Sequence, residues 1–331
     1  FLFIALMEDS GYMARVAFIL DKLMHKIGLH GKSFIPLLMG FGCNVPAILA
    51  TRTIESKSDR LVTILINPFM SCSARYPLYI LLISAYFVNY QGTILFLIYL
   101  TGILLAAIVA SVFKKTIFKA REIPFVMELP PYRKPTIRTT IKHTWYRGSQ
   151  YLKKMAGFIL VASLIIWALG YFPRYVPDQE ISPTELAKLQ KENSYIGRIG
   201  KFIEPVIRPL GFDWKMGISL IAGSAAKEIV VSTMGVLYQE DGSVTGIEGL
   251  PEKLKKQKYT EGPRAGQNVF NPVVALSFIG FVLIYFPCIA VISAVRKETG
   301  GWKWAVFLAV YTTGLAWIVS FLIYQLGSLI I

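Results

Sequence analysis

Apolar runs alternate with short polar stretches along the whole chain, and several of these runs are interrupted near their middles. The clearest is FIPLLMGFGCNVPAILATR, residues 34–52, where two apolar stretches flank Gly40, Phe41, Gly42, Cys43 and Asn44, with Pro46 just beyond. Glycine loosens the backbone there, while proline removes a donor and collides with the preceding turn. The pattern predicts a helix broken at membrane depth, which is tolerated only inside protein or along a wet cavity. Transporters place substrate sites at such breaks. The plain alternative is a kinked helix in which Cys43 is a small hydrophobe.

Other interruptions follow. LINPFMSCSARYP places Pro68 and Pro77 around Ser71, Cys72, Ser73 and Arg75, and its hydroxyls can re-satisfy freed backbone groups. YFPCIAVISAVRKETG carries Pro287 and Cys288 before an apolar run and Arg296. With Arg52 set against Arg296, this stretch echoes the first break, with the cysteines offset by one, and suggests a weak internal duplication with a site between the halves. Uninterrupted spanning material is expected at 78–88, 93–113, 155–171, 216–238 and 302–331. The fold class expected is an all-α polytopic membrane protein with broken or re-entrant helices and roughly seven to eight membrane segments.

Charges inside the apolar material are the next signal, because each is costly at membrane depth and needs a partner or a cavity. MEDSGYMAR brings Glu8, Asp9 and Arg15 into the first run, and Asp9-Ser10-Gly11 reads as the start of a half-helix. A Glu8–Arg15 structural pair is the bland alternative. Lys227 and Glu228 are the only charges in residues 216–238. Neighbours on a helix point about 100° apart, so they serve one another poorly, and Glu8 or Asp9 becomes the expected partner of Lys227.

Composition supports the membrane reading: the chain is 54% hydrophobic with a mean hydropathy of +0.52. Its formal charge of +15 is concentrated in residues 114–154, which hold eleven basic residues against two acidic ones. The positive-inside rule makes that loop cytoplasmic, and such a loop does not argue for nucleic acid. Its basic residues are suited to anionic membrane lipid. The loop at 173–214 is charge-balanced and expected outside; within it, Ile196, Ile199, Phe202 and Ile203 mark an interfacial amphipathic helix. Three scattered cysteines exclude a disulfide framework. GKS at 31–33 is not a phosphate loop, because Lys26 stands where its first glycine is required. There is no initiator Met, so a fragment opening inside a membrane segment is expected, with no readable signal peptide.

Together, EDSGYMARVAFILDKLM, GFGCNVPAILATRTIESKSDRL, PFMSCSARYP, ELPPYR, AAKEIVVSTMG and FPCIA resemble the membrane domain of the bacterial ferrous-iron transporter family FeoB. The resemblance covers nearly the whole chain. It implies two Gate-type repeats: 1–113 holding the first with its following helices, 114–154 as the cytoplasmic basic loop, and 155–331 holding the second. It also implies a multi-pass protein of the bacterial inner membrane that moves Fe²⁺ inward and is itself no enzyme. Partners implied are a cytosolic GTP-binding domain of the same full-length chain, a small cytosolic accessory protein and further copies in a homo-oligomer. Cys43 and Cys288 match the family's gate cysteines, and Glu8, Asp9, Lys227 and Glu228 its buried charged positions. The GTP-binding domain has no counterpart in this sequence, so neither a nucleotide site nor transport by this stretch alone is expected.

The candidate metal set is therefore Cys43, Cys288, Asn44, Glu8 and Asp9. Arg15, Gly40, Gly42, Pro46, Cys72, Lys227, Glu228 and Pro287 are the gating or buried-charge set. Thiolate with carbonyl and carboxylate donors suits Fe²⁺ better than Mg²⁺ or Ca²⁺, and does not separate it from Zn²⁺, Mn²⁺ or Co²⁺. The competing expectations are a Gate-fold carrier of nucleosides or another divalent metal, and a structural anchor for a GTPase.

Overall fold

The structure is a computed structural model that describes residue 6, residues 10–118, 193–238, 250–257 and 268–330, position 266, and scattered positions between 136 and 173. Glu8, Asp9, most of the basic loop and residues 174–192 lie outside the described residues. Among those described, the protein is helical with no β-strand.

Helix α1 (Tyr12–Lys26) starts after Gly11, whose φ of 75° is the left-handed turn that glycine adopts without strain. This agrees with the start signal at Asp9-Ser10-Gly11. Next come α2 (Phe34–Gly40), α3 (Asn44–Ala50), α4 (Lys57–Ile66), α5 (Tyr76–Tyr86) and the long α6 (Gln91–Thr116). After the loop region follow α7 (Tyr195–Ile207), α8 (Trp214–Ala225), α9 (Ile229–Leu237), α10 (Leu250–Lys256), α11 (Pro272–Ile284), α12 (Ile289–Thr299) and α13 (Trp302–Ile330).

Three stretches among the described residues are long and apolar enough to cross a bilayer: Val88–Thr116, Pro272–Thr299 and Trp302–Leu329. This is a membrane protein. The first and third are 22% buried and the second 61%, so the third and first present lipid-facing surfaces while α11 is a core helix. Halves such as α2 and α3 have seven residues each, about 10 Å, and cannot span alone.

The predicted breaks are present at Phe41–Cys43, between α4 and α5, and at Tyr285–Cys288. One span differs from expectation: residues 216–238 do not form one helix but part at Ala226, Lys227 and Glu228. Element order now sets the register of the duplication. Helices α1, α2–α3, α4–α5 and α6 recur as α7, α8–α9, α11–α12 and α13, with α10 inserted. The break at 41–43 therefore corresponds to 226–228, and the break holding Cys72 to the one holding Cys288. The alignment of Arg52 with Arg296 had matched two different breaks, because each carries a cysteine, an apolar run and an arginine.

The chain forms two compact units. Among the described residues, the first takes those within Phe1–Ser73, Tyr99–Phe158 and Ala290–Leu308. The second takes those within Ala74–Ile98, Ile159–Ile289 and Ala309–Ile331. Neither is a contiguous half: each joins the opening helices of one repeat to the post-break helix of the other. Two of the five boundaries fall one residue after Cys72 and one residue after Cys288.

In the second unit, α7 packs on α8 through a glycine edge. A Cβ at Gly200 would stand 2.8 Å from Ile218 Cδ1, and Ser194 caps the helix by accepting from Gly197 N–H at 3.2 Å. Ile199, Phe202 and Val206 remain exposed on α7, the apolar surface expected of an interfacial helix. Deeper in this unit, Ser277 Oγ donates to the Ser320 carbonyl at 3.1 Å and Ser320 Oγ donates to the Ser277 carbonyl at 3.0 Å. This reciprocal pair clamps α11 to α13. A double-mutant cycle of Ser277→Ala and Ser320→Ala, read by melting in detergent, is expected to show a coupling of about 0.6 kcal/mol, the usual worth of such a bond between membrane helices.

Candidate paired helix breaks

In the first unit, Gly40 ends α2, Phe41 and Gly42 turn, and Cys43 is extended (φ −157°, ψ 129°) before α3 begins at Asn44. A Cβ on Gly40 would stand 2.9 Å from Met70 Cβ and 3.0 Å from Asn67 Oδ1, so only glycine lets this break meet the one after α4. The Gly42 carbonyl accepts from Ser73 N–H (3.4 Å) and from Ser73 Oγ–H (3.0 Å). Ser73 thus satisfies a carbonyl that the break releases from the helix. Asn67, fully buried, donates from Nδ2 to the Pro36 carbonyl at 3.0 Å. Among the described residues, the buried Oδ1 atoms of Asn44 and Asn67 have no hydrogen-bond partner. Asn44 was an expected donor; Asn67 was not, although its place before Pro68 at a helix end was a readable signal.

In the second unit, Ala226 is extended (φ −149°, ψ 132°) between α8 and α9. Lys227, 5% exposed, donates from Nζ to the Phe286 carbonyl at 2.7 Å and lies 3.1 Å from the centroid of the Tyr285 ring. Phe286 precedes Pro287 at the end of a broken helix, so its carbonyl has left the helical ladder. Gly223 makes room for this arrangement: a Cβ there would stand 2.2 Å from Val230 Cγ2 and 2.6 Å from Tyr285 Oη. Glu228 is exposed. The structure thus gives Lys227 a carbonyl and an aromatic face, while Glu8 and Asp9 lie outside the described residues.

Cys43, Cys72 and Cys288 lie outside any disulfide, each half-buried. Pro46 lies in the first turn of α3, Pro287 is buried, and Arg15 is half-buried on α1. Arg75, 1% exposed, is among the largest fully buried side chains; the sequence placed it in the second interruption without giving it a role. Among the described residues no group of three or more His, Cys, Asp or Glu could hold a metal ion. A cation site formed by the described residues would therefore take at most two ligands from such side chains and the rest from carbonyl, amide or other oxygens.

A charged hub closes the first unit. Glu298, its side chain 1% exposed, accepts from Arg52 Nη2 at 2.6 Å and Nε at 2.9 Å, and from Arg60 Nη2 at 2.6 Å. It joins the end of α12 to the α3–α4 turn. Lys114 pairs with Asp59, and Lys32 with Glu55 at 2.9 Å. Burial holds the His30 imidazole below its usual range, and its Nδ1 accepts from Lys32 N–H at 3.0 Å. Glu298→Gln is expected to lower the melting temperature by about 4 °C or more, and Arg52→Gln by less, because Arg60 still faces the carboxylate. Thermal unfolding of the two variants side by side checks this.

A family model described as Gate, nucleoside recognition, matches residues 1–86 and 152–302. A second, described as ferrous iron transport protein B C terminus, matches residues 95–147. The Fe(2+) transport protein A/Fe(2+) transporter FeoB fusion protein of Porphyromonas gingivalis is 53% identical over 99% of this chain and 42% of its own length. The Fe(2+) transporter FeoB of Staphylococcus aureus is 40% identical over 100% of this chain and 46% of its own, and that of Campylobacter jejuni 44% identical over 97% and 51%. The chain spans about half the length of these curated relatives. No solved structure matches.

Proposed function

This chain belongs to the Gate family, and from that premise we propose that it is the permease part of a transporter moving ferrous iron inward across the bacterial cytoplasmic membrane. The observation that carries the reading is end-to-end similarity, at 40–53% identity, to proteins named Fe(2+) transporters. Helix breaks bearing half-buried thiols outside any disulfide support it. The GTP-binding domain implied by the resemblance belongs, in this reading, to the half of such proteins that this chain does not span.

The thiols at Cys43 and Cys288 supply the soft donors, and the buried Asn44 amide oxygen supplies a hard one. Glu8 and Asp9 add carboxylates in this proposal. An incomplete donor set at each break binds weakly enough for an ion to leave, as conduction requires. The family's description, nucleoside recognition, favours an organic substrate as the second reading. Competition between Fe²⁺ uptake and excess nucleoside separates the two.

In the full-length protein, Cys43→Ser and Cys288→Ser are each expected to lower Fe²⁺ uptake by about tenfold at unchanged protein level, comparable with the loss when a metal site's supporting groups are removed. Cys72→Ser is expected to matter less, although Cys72 is the counterpart of Cys288 in element order. Wild-type uptake by the Cys43, Cys288 double serine variant would overturn the assignment.

The nine net positive charges at 114–154 set the orientation. On a background without native cysteines, a cysteine at position 138 is expected to resist an impermeant thiol reagent in intact cells, and one at position 185 to react. Labelling of position 138 from outside would reverse the proposed topology.

A further inference from the structure

Residues 265–331 contain four charged residues, Arg296, Lys297, Glu298 and Lys303, and all four fall within one eight-residue stretch. That stretch is the corner between Pro272–Thr299 and Trp302–Leu329, both long and apolar enough to cross a bilayer, so the chain turns there at a membrane surface. The turn is tight. Gly300 takes the left-handed conformation at φ 73°, and Thr299 Oγ1 donates to the Val295 carbonyl at 2.8 Å. A Cβ on Gly300 or Gly301 would meet nothing within 4 Å, so the outer side of the corner is open.

The charges of the corner sort by burial. Glu298 turns inward and is taken by Arg52 and Arg60. Arg296, Lys297 and Lys303 are exposed, and among the described residues no carboxylate pairs with them. The Arg296 guanidinium lies 4.3 Å from the centroid of the Trp302 ring, which is itself 55% exposed. Stacking on the indole holds the guanidinium and leaves its N–H edge to fork onto an anion. Trp304 packs on Phe118 with ring centroids 5.4 Å apart, so the chain leaving α6 meets the same corner within the first unit. The helix dipole accounts for Arg296 and Lys297 in the last turn of α12. It works against Lys303 in the first turn of α13, where negative charge is favoured.

We propose that this corner binds the phosphodiester headgroup of an anionic phospholipid, held by Arg296, Lys297 and Lys303 with Trp302 at the headgroup level. Lysine and arginine at a membrane surface attract anionic lipid. A free phosphate would satisfy the cations alone. The exposed indole between two membrane-crossing stretches commits the site to lipid, because tryptophan gathers at the membrane–water interface. The basic loop opens with Lys114 and Lys115 at the end of α6, so corner and loop face the same leaflet. The proposal goes beyond the transport reading and needs only that the chain is a membrane protein.

The test uses the full-length protein in neutral detergent, titrated with phosphatidylglycerol or phosphatidylcholine and read lipid by lipid by native mass spectrometry. Replacing Arg296, Lys297 and Lys303 together by glutamine is expected to weaken the tightest phosphatidylglycerol by about tenfold or more, each cation contributing roughly fivefold at most. Phosphatidylcholine binding is expected to stay unchanged. Trp302→Leu is expected to weaken the same lipid by about fivefold, through loss of the stacked guanidinium. A variant of the basic loop that loses the same charge, with Lys134, Arg138 and Lys142 replaced by glutamine, is expected to keep the tightest lipid. No loss in the corner variant, or an equal loss in the loop variant, overturns the proposal. Inorganic phosphate and glycerol 3-phosphate in large excess are expected to leave the lipid in place; displacement by either overturns the assignment to lipid. The substituted side chains are exposed, so folding is expected to survive, and Lys303→Gln alone carries the test if the triple variant does not fold. Iron uptake is not read in any arm, so failure of this site and failure of the transport reading remain distinguishable.

Discussion

A backbone that leaves the helix within apolar surroundings exposes N–H and C=O groups that no solvent will satisfy, and each costs free energy until it finds a partner. In both repeats, one break supplies a partner to the other. Ser73 reaches the Gly42 carbonyl, and Lys227 reaches the Phe286 carbonyl. Glycines at positions 40 and 223 permit the close approach, and a methyl group at either would collide with the facing break or helix. Cys43, Asn44 and Cys288 owe their positions to this mutual bracing. Without it, an α2 or α3 of seven residues would be too short to remain ordered alone.

How much of this could be read from residues alone depended on whether the cause of each feature was local. The break at 41–43 was legible because two glycines, an asparagine and a proline coincide there, and the break at 285–288 because of Pro287. The break at 226–228 was not. AAKEIVV contains neither glycine nor proline, and Lys227 meets Phe286 across 59 residues of chain. The same limit hid Glu298, whose partner Arg52 lies 246 residues away. It also distorted the repeat. Similar residues around Cys43 and Cys288 suggested one register, whereas the succession of short and long helices shows another.

The candidate site divides along similar lines. Cys43 and Cys288 stand at helix breaks, half-buried and outside any disulfide. The oxygen donors are less simply placed, because Gly42 has spent its carbonyl on Ser73 and Asn67 contributes a buried amide oxygen that no spacing rule would select. Charge also takes an unexpected role. Lys227, expected as half of an ion pair, also donates to a backbone carbonyl and lies on the face of a tyrosine ring.

The composite make-up of the units bears on how the protein is made. Arg52 and Arg60 leave the ribosome long before Glu298, and at 5–20 residues per second the interval across 246 residues is roughly 12 to 50 s. During that time the first repeat's helices are already in the bilayer with their buried carboxylate still unsynthesised. Insertion and assembly are therefore separate events for this chain, as they are for membrane helices that insert first and pack later. The nascent first repeat must persist as an open intermediate whose arginines stay solvated at the membrane surface until α12 arrives. For that interval the ion pairs that close the first unit cannot form, and its early helices must hold together on their own contacts.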